Sequence, residues 1–350
     1  MTRTICGEKT MIRKLLQYKR RIGEATDLIQ QLHEEIEQLK LKHEIVAVNT
    51  AAFSEYKNAH TGKDVVIAAA GPSFSKYSPI ENAIHIGVNR VCTNKKVTLD
   101  YYFLQDVGRQ LPKHVPYEKD ILCLTCKKFF GVFAHTPNGA IEPSESFCIK
   151  ANAVRYFVSM SPSKHLYSDI RFYPLMDFFS VVFPALHFAL FTNPKRIYLA
   201  GCDVSYNGYF TGEKQKEPIE EKRHILTMMI IGYRRLKEFA QMWYPETEII
   251  SINPVNLKGL FRDMYTDEQG VLIEGMESSA IAGEKDFSDE QVKIFVDKHI
   301  EQVLLEKAHA ELSCKECGSC SFSVERGLSD EMPDSIEVKC NACGFVSSYS

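Results

Sequence analysis

The chain has 350 residues, of which 45% are hydrophobic and 25% charged, with a formal net charge of −3. These values describe an ordinary folded protein and exclude a chain dominated by disorder or by a basic field for nucleic acid. No apolar run approaches the 18 or so residues of a membrane span, and the basic N-terminus lacks the apolar core of a secretory signal. Eleven scattered cysteines, the densest group at metal-ligand spacing, point to a reducing, cytoplasmic setting rather than a disulfide framework.

Residues 1–48 form the first unit. Leu15, Ile22, Ile29 and Ile36 recur every seven residues, and Tyr18, Ala25, Leu32 and Leu39 repeat with an offset of three. This is the a/d seam of a coiled coil sustained over about four heptads, with Gly23 weakening its middle. Ile at three a positions and Leu at two d positions lean towards a parallel homodimer; a long helix packed on its own domain is the alternative. Asn49–Lys63 reads as a linker or short connecting helix.

An α/β unit follows and completes the segment 49–310. Strands are expected at Val65–Ala69, His85–Val88, Tyr101–Leu104, Asp120–Thr125, Ile197–Ala200 and Glu248–Ile252. Helices are expected over 180–192 and at Arg223–Trp243, and the alternation implies a mostly parallel, Rossmann-like sheet. A further helix is expected at Asp289–Ala310, with Ser288 as its cap, Gln291 completing a capping box and Phe287 stapled onto Val292.

Two strand-to-loop junctions stand out. Val65–Ala69 ends at Gly71-Pro72-Ser73, and Ile197–Ala200 ends at Gly201-Cys202-Asp203, leading into Ser205-Tyr206-Asn207-Gly208. Ligands of open α/β sheets bind at the carboxyl ends of strands, so a nucleotide site between these junctions is expected. Gly71 would let a ligand approach the backbone, and free N–H groups in the next turn could take phosphate; a plain turn is the alternative. The polar segment from Asp203 to Arg223 reads as a lid, mobile without ligand. His224, at its far edge, is a candidate general base, or else a surface or capping histidine.

Residues 311–350 change character. Cys314-x-x-Cys317-Gly pairs with Cys340-x-x-Cys343-Gly across a segment suited to short strands, the donor set of a structural zinc ribbon. Cys320 is a spare that could replace Cys314, and redox-active thiols are the alternative. Cys123-x-x-Cys126, on an expected strand, reads as a pair of buried structural cysteines.

Together, Ile67-Ala-Ala-Ala-Gly-Pro-Ser73, Gly87-Val-Asn89-Arg90, Ser180 before a helix, and Ile197-Tyr-Leu-Ala-Gly-Cys-Asp203 resemble the bacterial family 42 sialyltransferases. They also resemble the motility-accessory-factor and hydroxymethylpterin-pyrophosphokinase-like group. The resemblance spans roughly 63–260. It implies a glycosyltransferase moving a sugar from a nucleotide donor, CMP-linked in that family, to a glycan or other hydroxyl acceptor, without a catalytic metal. It further implies that Gly71, Pro72, Ser73 and Asn89 hold the nucleotide, that Ser180 contacts the donor, and that His224 deprotonates the acceptor.

The chain departs from that family in three places. Ala69-Ala70 replace a Gly-Asn pair, and Ser205 stands where a phosphate-binding tyrosine is usual, with Tyr206 and Tyr209 displaced nearby. Asp177 replaces an arginine, and an acidic group there would repel a sialate carboxylate. Asp203 is expected to orient the loop or to bind a ribose or sugar hydroxyl. Two other readings stay open: a pyrophosphokinase whose Mg²⁺ would sit on Asp106 and Asp203, and a non-catalytic nucleotide-binding scaffold.

Overall fold

The computed structural model describes residues 3–105, 117–134, 143–159, 166–205, 208–213, 219–264, 322–326, 336–340 and 346–349, with side chains described from Tyr18 on except at 219–222, at 224 and in the C-terminal strands. Nine parallel strands form one sheet in the order β6-β5-β4-β3-β2-β1-β7-β8-β9. These are β1 (Asp64–Ala68), β2 (Ile84–Val88), β3 (Tyr101–Leu104), β4 (Lys127–Phe133), β5 (Ala153–Ser159), β6 (Leu175–Met176), β7 (Arg196–Ala200), β8 (Glu248–Ser251) and β9 (Arg262–Asp263). The strand order reverses between β1 and β7, the topological switch point where doubly wound sheets bind ligands.

The strands are apolar on both faces because both faces are covered. Val65 and Ile67 of β1 point into one core with Phe53, Phe129, Phe188, Leu236 and Phe239, whereas Val66 and Ala68 point into the other with Phe74, Val91, Ile121 and Phe147. Helices α1 (Arg3–Phe53), α4 (Val182–Phe191) and α5 (Ile219–Trp243) supply the first layer. The second is thinner, built of 3₁₀ turns at Pro72–Lys76 and Asn89–Thr93 and of α2 (Glu118–Cys123) and α3 (Glu145–Lys150). Every residue of α4 is buried, as befits a helix that is apolar all round. In α5, Leu226, Ile230, Tyr233, Leu236 and Ala240 recur at helical spacing and face the sheet.

The expected strands at 65, 85, 101, 197 and 248 are present within a residue of their expected bounds. The one expected at Asp120–Thr125 is not. Those residues lie largely in α2, where only Ile121 is buried, and the fourth strand is instead Lys127–Phe133. A short apolar run suits helix and strand alike, and the continuous run from Phe129 to Phe133 wins the place between β3 and β5 because it fills both cores. Cys123 is accordingly exposed at the end of α2 and Cys126 half-buried before β4, so the pair is not a set of buried strand cysteines. β5, β6 and β9 correspond to none of the expected strands.

The first helix does not stop at residue 48. It runs to Phe53, and the stretch expected as a linker packs onto the sheet. Phe53 lies with ring centroids 5.5 Å from Phe129 and 5.8 Å from both Tyr156 and Phe188. Asn49, fully buried, donates to the carbonyls of Ile170 (3.1 Å) and Tyr173 (2.8 Å) and accepts from the Phe157 N–H (2.8 Å). Upstream, Tyr18, Ile22, Ile29, Leu32, Ile36 and Leu39 are between 48% and 67% exposed.

Near the C-terminus, β10 (Phe322–Arg326), β11 (Ile336–Cys340) and β12 (Val346–Tyr349) form an antiparallel meander. Two of its strands occupy the segment between the CxxC pairs, and Cys340 closes β11. Cys314, Cys317, Cys320 and Cys343, and the expected helix at Asp289–Ala310, lie outside the described residues. No described helix is long and apolar enough to cross a membrane.

Candidate functional site

The two junctions singled out in the sequence meet at the switch point. The Gly71 N–H donates to the Gly201 carbonyl (2.8 Å), and the Ala69 N–H donates to the Ala200 carbonyl (2.8 Å). The Asp203 carboxylate takes the Ser73 N–H on one oxygen (2.7 Å) and the Ser73 hydroxyl on the other. Glycine is required at both closest approaches. A Cβ on Gly71 would stand 2.5 Å from the Gly201 carbonyl oxygen, and one on Gly201, whose φ is +68°, would stand 2.4 Å from the Ala69 oxygen.

Asp203 is 3% exposed, and burial pushes its pKa above the ordinary 3.8 while its two bonds from Ser73 pull it down. Both Asp203 oxygens are engaged by Ser73, which ties the Gly-Pro-Ser turn to the loop after β7. The same bonds change the reading of the turn. The N–H groups of Gly71 and Ser73 go to the β7 loop, that of Phe74 goes to the Gly71 carbonyl (3.0 Å), and Pro72 has none. The N–H groups expected to be free for phosphate are therefore spent inside the protein.

Left-handed residues also occur along this edge of the sheet, as they do before several strands at the other. Asn89 (φ 44°) after β2, Phe178 (41°) and Phe179 (62°) after β6, and Val204 (49°) after β7 are all left-handed, a conformation that persists only where surrounding contacts over-determine it. The Asn89 carbonyl accepts from the Tyr102 hydroxyl (2.8 Å), while its side-chain Oδ1 is buried without a partner. Ser180 is half-buried, and its hydroxyl accepts from the Val182 N–H (3.3 Å) at the start of α4.

Asp177 closes the turn below Ser180 through the Ser180 N–H (2.8 Å). It is 3% exposed and accepts a hydrogen bond from the Gln105 amide, at the end of β3. The Gln105 Oε1 and the Tyr156 hydroxyl beside it are buried and unpartnered, and burial together with Asp177 holds the tyrosine pKa far above its usual value. A buried acid between two unmet polar groups suits a hydroxyl or amine better than a carboxylate.

Beyond β7, the described residues Gly208–Glu213 fold back over the first junction. The Phe210 N–H donates to the Ala70 carbonyl (3.0 Å), and its ring packs on Phe74 at 5.3 Å. Tyr209 lies under the Arg90 guanidinium, 3.7 Å from its ring centroid. Ser205 is half-buried at the start of this loop, while Asp106, Tyr206 and Asn207 lie outside the described residues. His224 stands in the second turn of α5, a helix that begins at Ile219 rather than Arg223; its side chain is outside the described residues.

The structure thus joins Gly71, Pro72, Ser73, Gly201 and Asp203 directly, with Tyr209 tied to them through Phe210. Sequence reasoning assigned no role to Arg90, Gln105, Tyr117, Tyr156 or Glu213. Arg90 ends the Gly87–Arg90 motif and Glu213 lies in the expected lid segment, while Gln105 is signalled only by its place after β3 and Tyr117 by nothing in the sequence. Among the described residues no cluster of His, Cys, Asp and Glu could hold a metal ion. No known protein family matches the chain, and no curated protein gives a significant match.

Proposed function

We propose that the cleft at the β1/β7 switch point binds a nucleotide-activated sugar and that the protein is a glycosyltransferase. The observation that carries this reading is the closure of the Gly71-Pro72-Ser73 turn onto Gly201 and Asp203 at the one place where the strand order reverses. In the reaction proposed, an acceptor hydroxyl attacks the anomeric carbon, His224 takes its proton, and the nucleotide leaves with the bonding pair. The buried acid at Asp177 favours a neutral or amino sugar over a sialic acid, whose carboxylate it would repel.

The test is a thermal-shift panel of CMP, CDP, UDP, GDP and ATP, followed by transfer assays with the matching sugar nucleotide. A true ligand at 100 times its Kd should stabilise the protein by about 2.7 kcal/mol. His224→Ala should then lower turnover by about 10²- to 10⁴-fold with nucleotide affinity nearly unchanged. No shift with any nucleotide, or a variant with normal turnover, sinks the reading.

Two further assignments belong to this proposal. The exposed seam of α1 pairs with a second copy of the chain as a coiled coil. The C-terminal meander carries one structural zinc ion on Cys314, Cys317, Cys340 and Cys343, which elemental analysis would count at one equivalent per chain. Such a site needs reduced thiols and fits a cytoplasmic protein.

A further inference from the structure

The cleft as described has an anion problem: the N–H groups of the Gly71 turn are already spent. A cation stands beside it. Arg90 follows Asn89 in the 3₁₀ turn after β2, and its guanidinium lies 3.7 Å from the Tyr209 ring centroid and 5.7 Å from that of Tyr117. Rings on this cation hold it in place without neutralising it.

The charge is met instead by Glu213, whose carboxylate pairs with the Arg90 guanidinium and accepts from the Tyr117 hydroxyl at 3.4 Å. Glu213 is delivered there by a tight turn. The Tyr209 N–H donates to the Glu213 carbonyl (3.0 Å), the Gly212 N–H donates to the Tyr209 carbonyl (2.9 Å), and Phe210 ties the turn to Ala70. A carboxylate facing an arginine fork and a tyrosine hydroxyl makes the contacts a phosphate oxygen would make.

We propose that Arg90, Tyr117 and Tyr209 form a phosphate-binding subsite and that Glu213 fills it in the free protein as an internal anion. Three observations favour this over a mere surface latch. The pair lies at the carboxyl edge of the sheet, one residue from Asn89, whose buried Oδ1 still lacks a donor that a ligand hydroxyl or amine could provide. The Glu213 side chain is 53% exposed and that of Arg90 27%, so the glutamate can swing into water while the arginine stays in its aromatic seat. An exposed glutamate is a weak competitor for a guanidinium, whereas a phosphate can take the fork with two oxygens.

The inference rests on the nucleotide reading only for what carries the phosphate. The primary probe is inorganic pyrophosphate, titrated calorimetrically into the full chain, E213Q and R90Q. If Glu213 leaves the seat free about a tenth of the time, E213Q should bind about tenfold tighter than the natural chain, and R90Q should show no measurable binding. If R90Q fails to fold, R90K keeps the charge without the planar fork and should bind more weakly than the natural chain. Equal affinity in the natural chain and E213Q, or unimpaired binding once the guanidinium is gone, overturns the proposal.

CMP and cytidine form the second arm. CMP binding that exceeds cytidine binding only when Arg90 is present supports both readings. Pyrophosphate binding with no response to any nucleotide leaves the subsite and removes the nucleotide reading. Nucleotide binding indifferent to both substitutions does the reverse.

Discussion

The two halves of α1 belong to one uninterrupted helix and have opposite fates. From Leu41 to Phe53 the helix is anchored: Ile45, Asn49, Ala52 and Phe53 are buried against β4, β5 and α4, with Leu41 and Val48 at the margin. From Tyr18 to Leu39 its large apolar residues stay exposed, covered by none of the described residues. At about 100° per residue, the anchoring positions 41, 45, 48 and 52 fall on nearly the opposite side of the helix from the a/d seam. The seam therefore points away from the body that holds the helix. Regular spacing of apolar residues says that a face will be covered, while the register in which the helix is anchored decides whether the same chain can cover it.

Phe53→Ala should break the anchored half most severely. It empties a site lined by Phe129, Tyr156 and Phe188 and should cost about 3–5 kcal/mol in denaturant unfolding; a loss under about 1 kcal/mol would mean the anchor is not needed. Asp169→Asn should cost less, of order 1 kcal/mol at neutral pH, because the site is partly exposed. Asp169 accepts from Arg171 and from Lys57, just beyond the anchor, and Arg171 above all holds its pKa at about 2, below the ordinary 3.8. A depressed folded pKa gives stability that is present above the unfolded value and is lost as pH falls through the folded one. The gap between the natural chain and the variant should therefore close between pH 4 and pH 2. A gap independent of pH would remove the ion pair as its cause. Ile29→Asp with Ile36→Asp should have the smallest effect on the body, within about 0.5 kcal/mol at a fixed low protein concentration, yet reduce the mass in light scattering to that of one chain. An unchanged mass would show that the exposed seam has no second copy on it.

Much of the sheet was legible because buried parallel strands advertise themselves as short apolar runs ending at glycine, as at Ala68 and Ala200. β6 was not legible, since two residues hold no period, and α2 was misread because Ile-Leu-Cys-Leu fits either geometry. The strand-end glycines and Asp203 could be recognised from local sequence. Their hydrogen bonds to each other cross 130 positions of chain and follow only from β1 pairing with β7. That pairing also consumed the N–H groups that the isolated Gly-Pro-Ser turn had offered to a phosphate.

The sequence by itself determined the alternation of strand and helix, the apolar heptads of α1, the two glycine junctions and the spacing of the C-terminal cysteines. These are local properties, set by side-chain period and by backbone freedom within a few residues. Only the tertiary structure decided that α1 turns its heptad seam away from its own domain, that Asp203 is occupied by Ser73, and that Arg90 meets Glu213 between two tyrosines. Each of these depends on which groups the folded sheet brings within about 3–6 Å of one another, and contacts between residues far apart in the chain leave no period in the sequence to read.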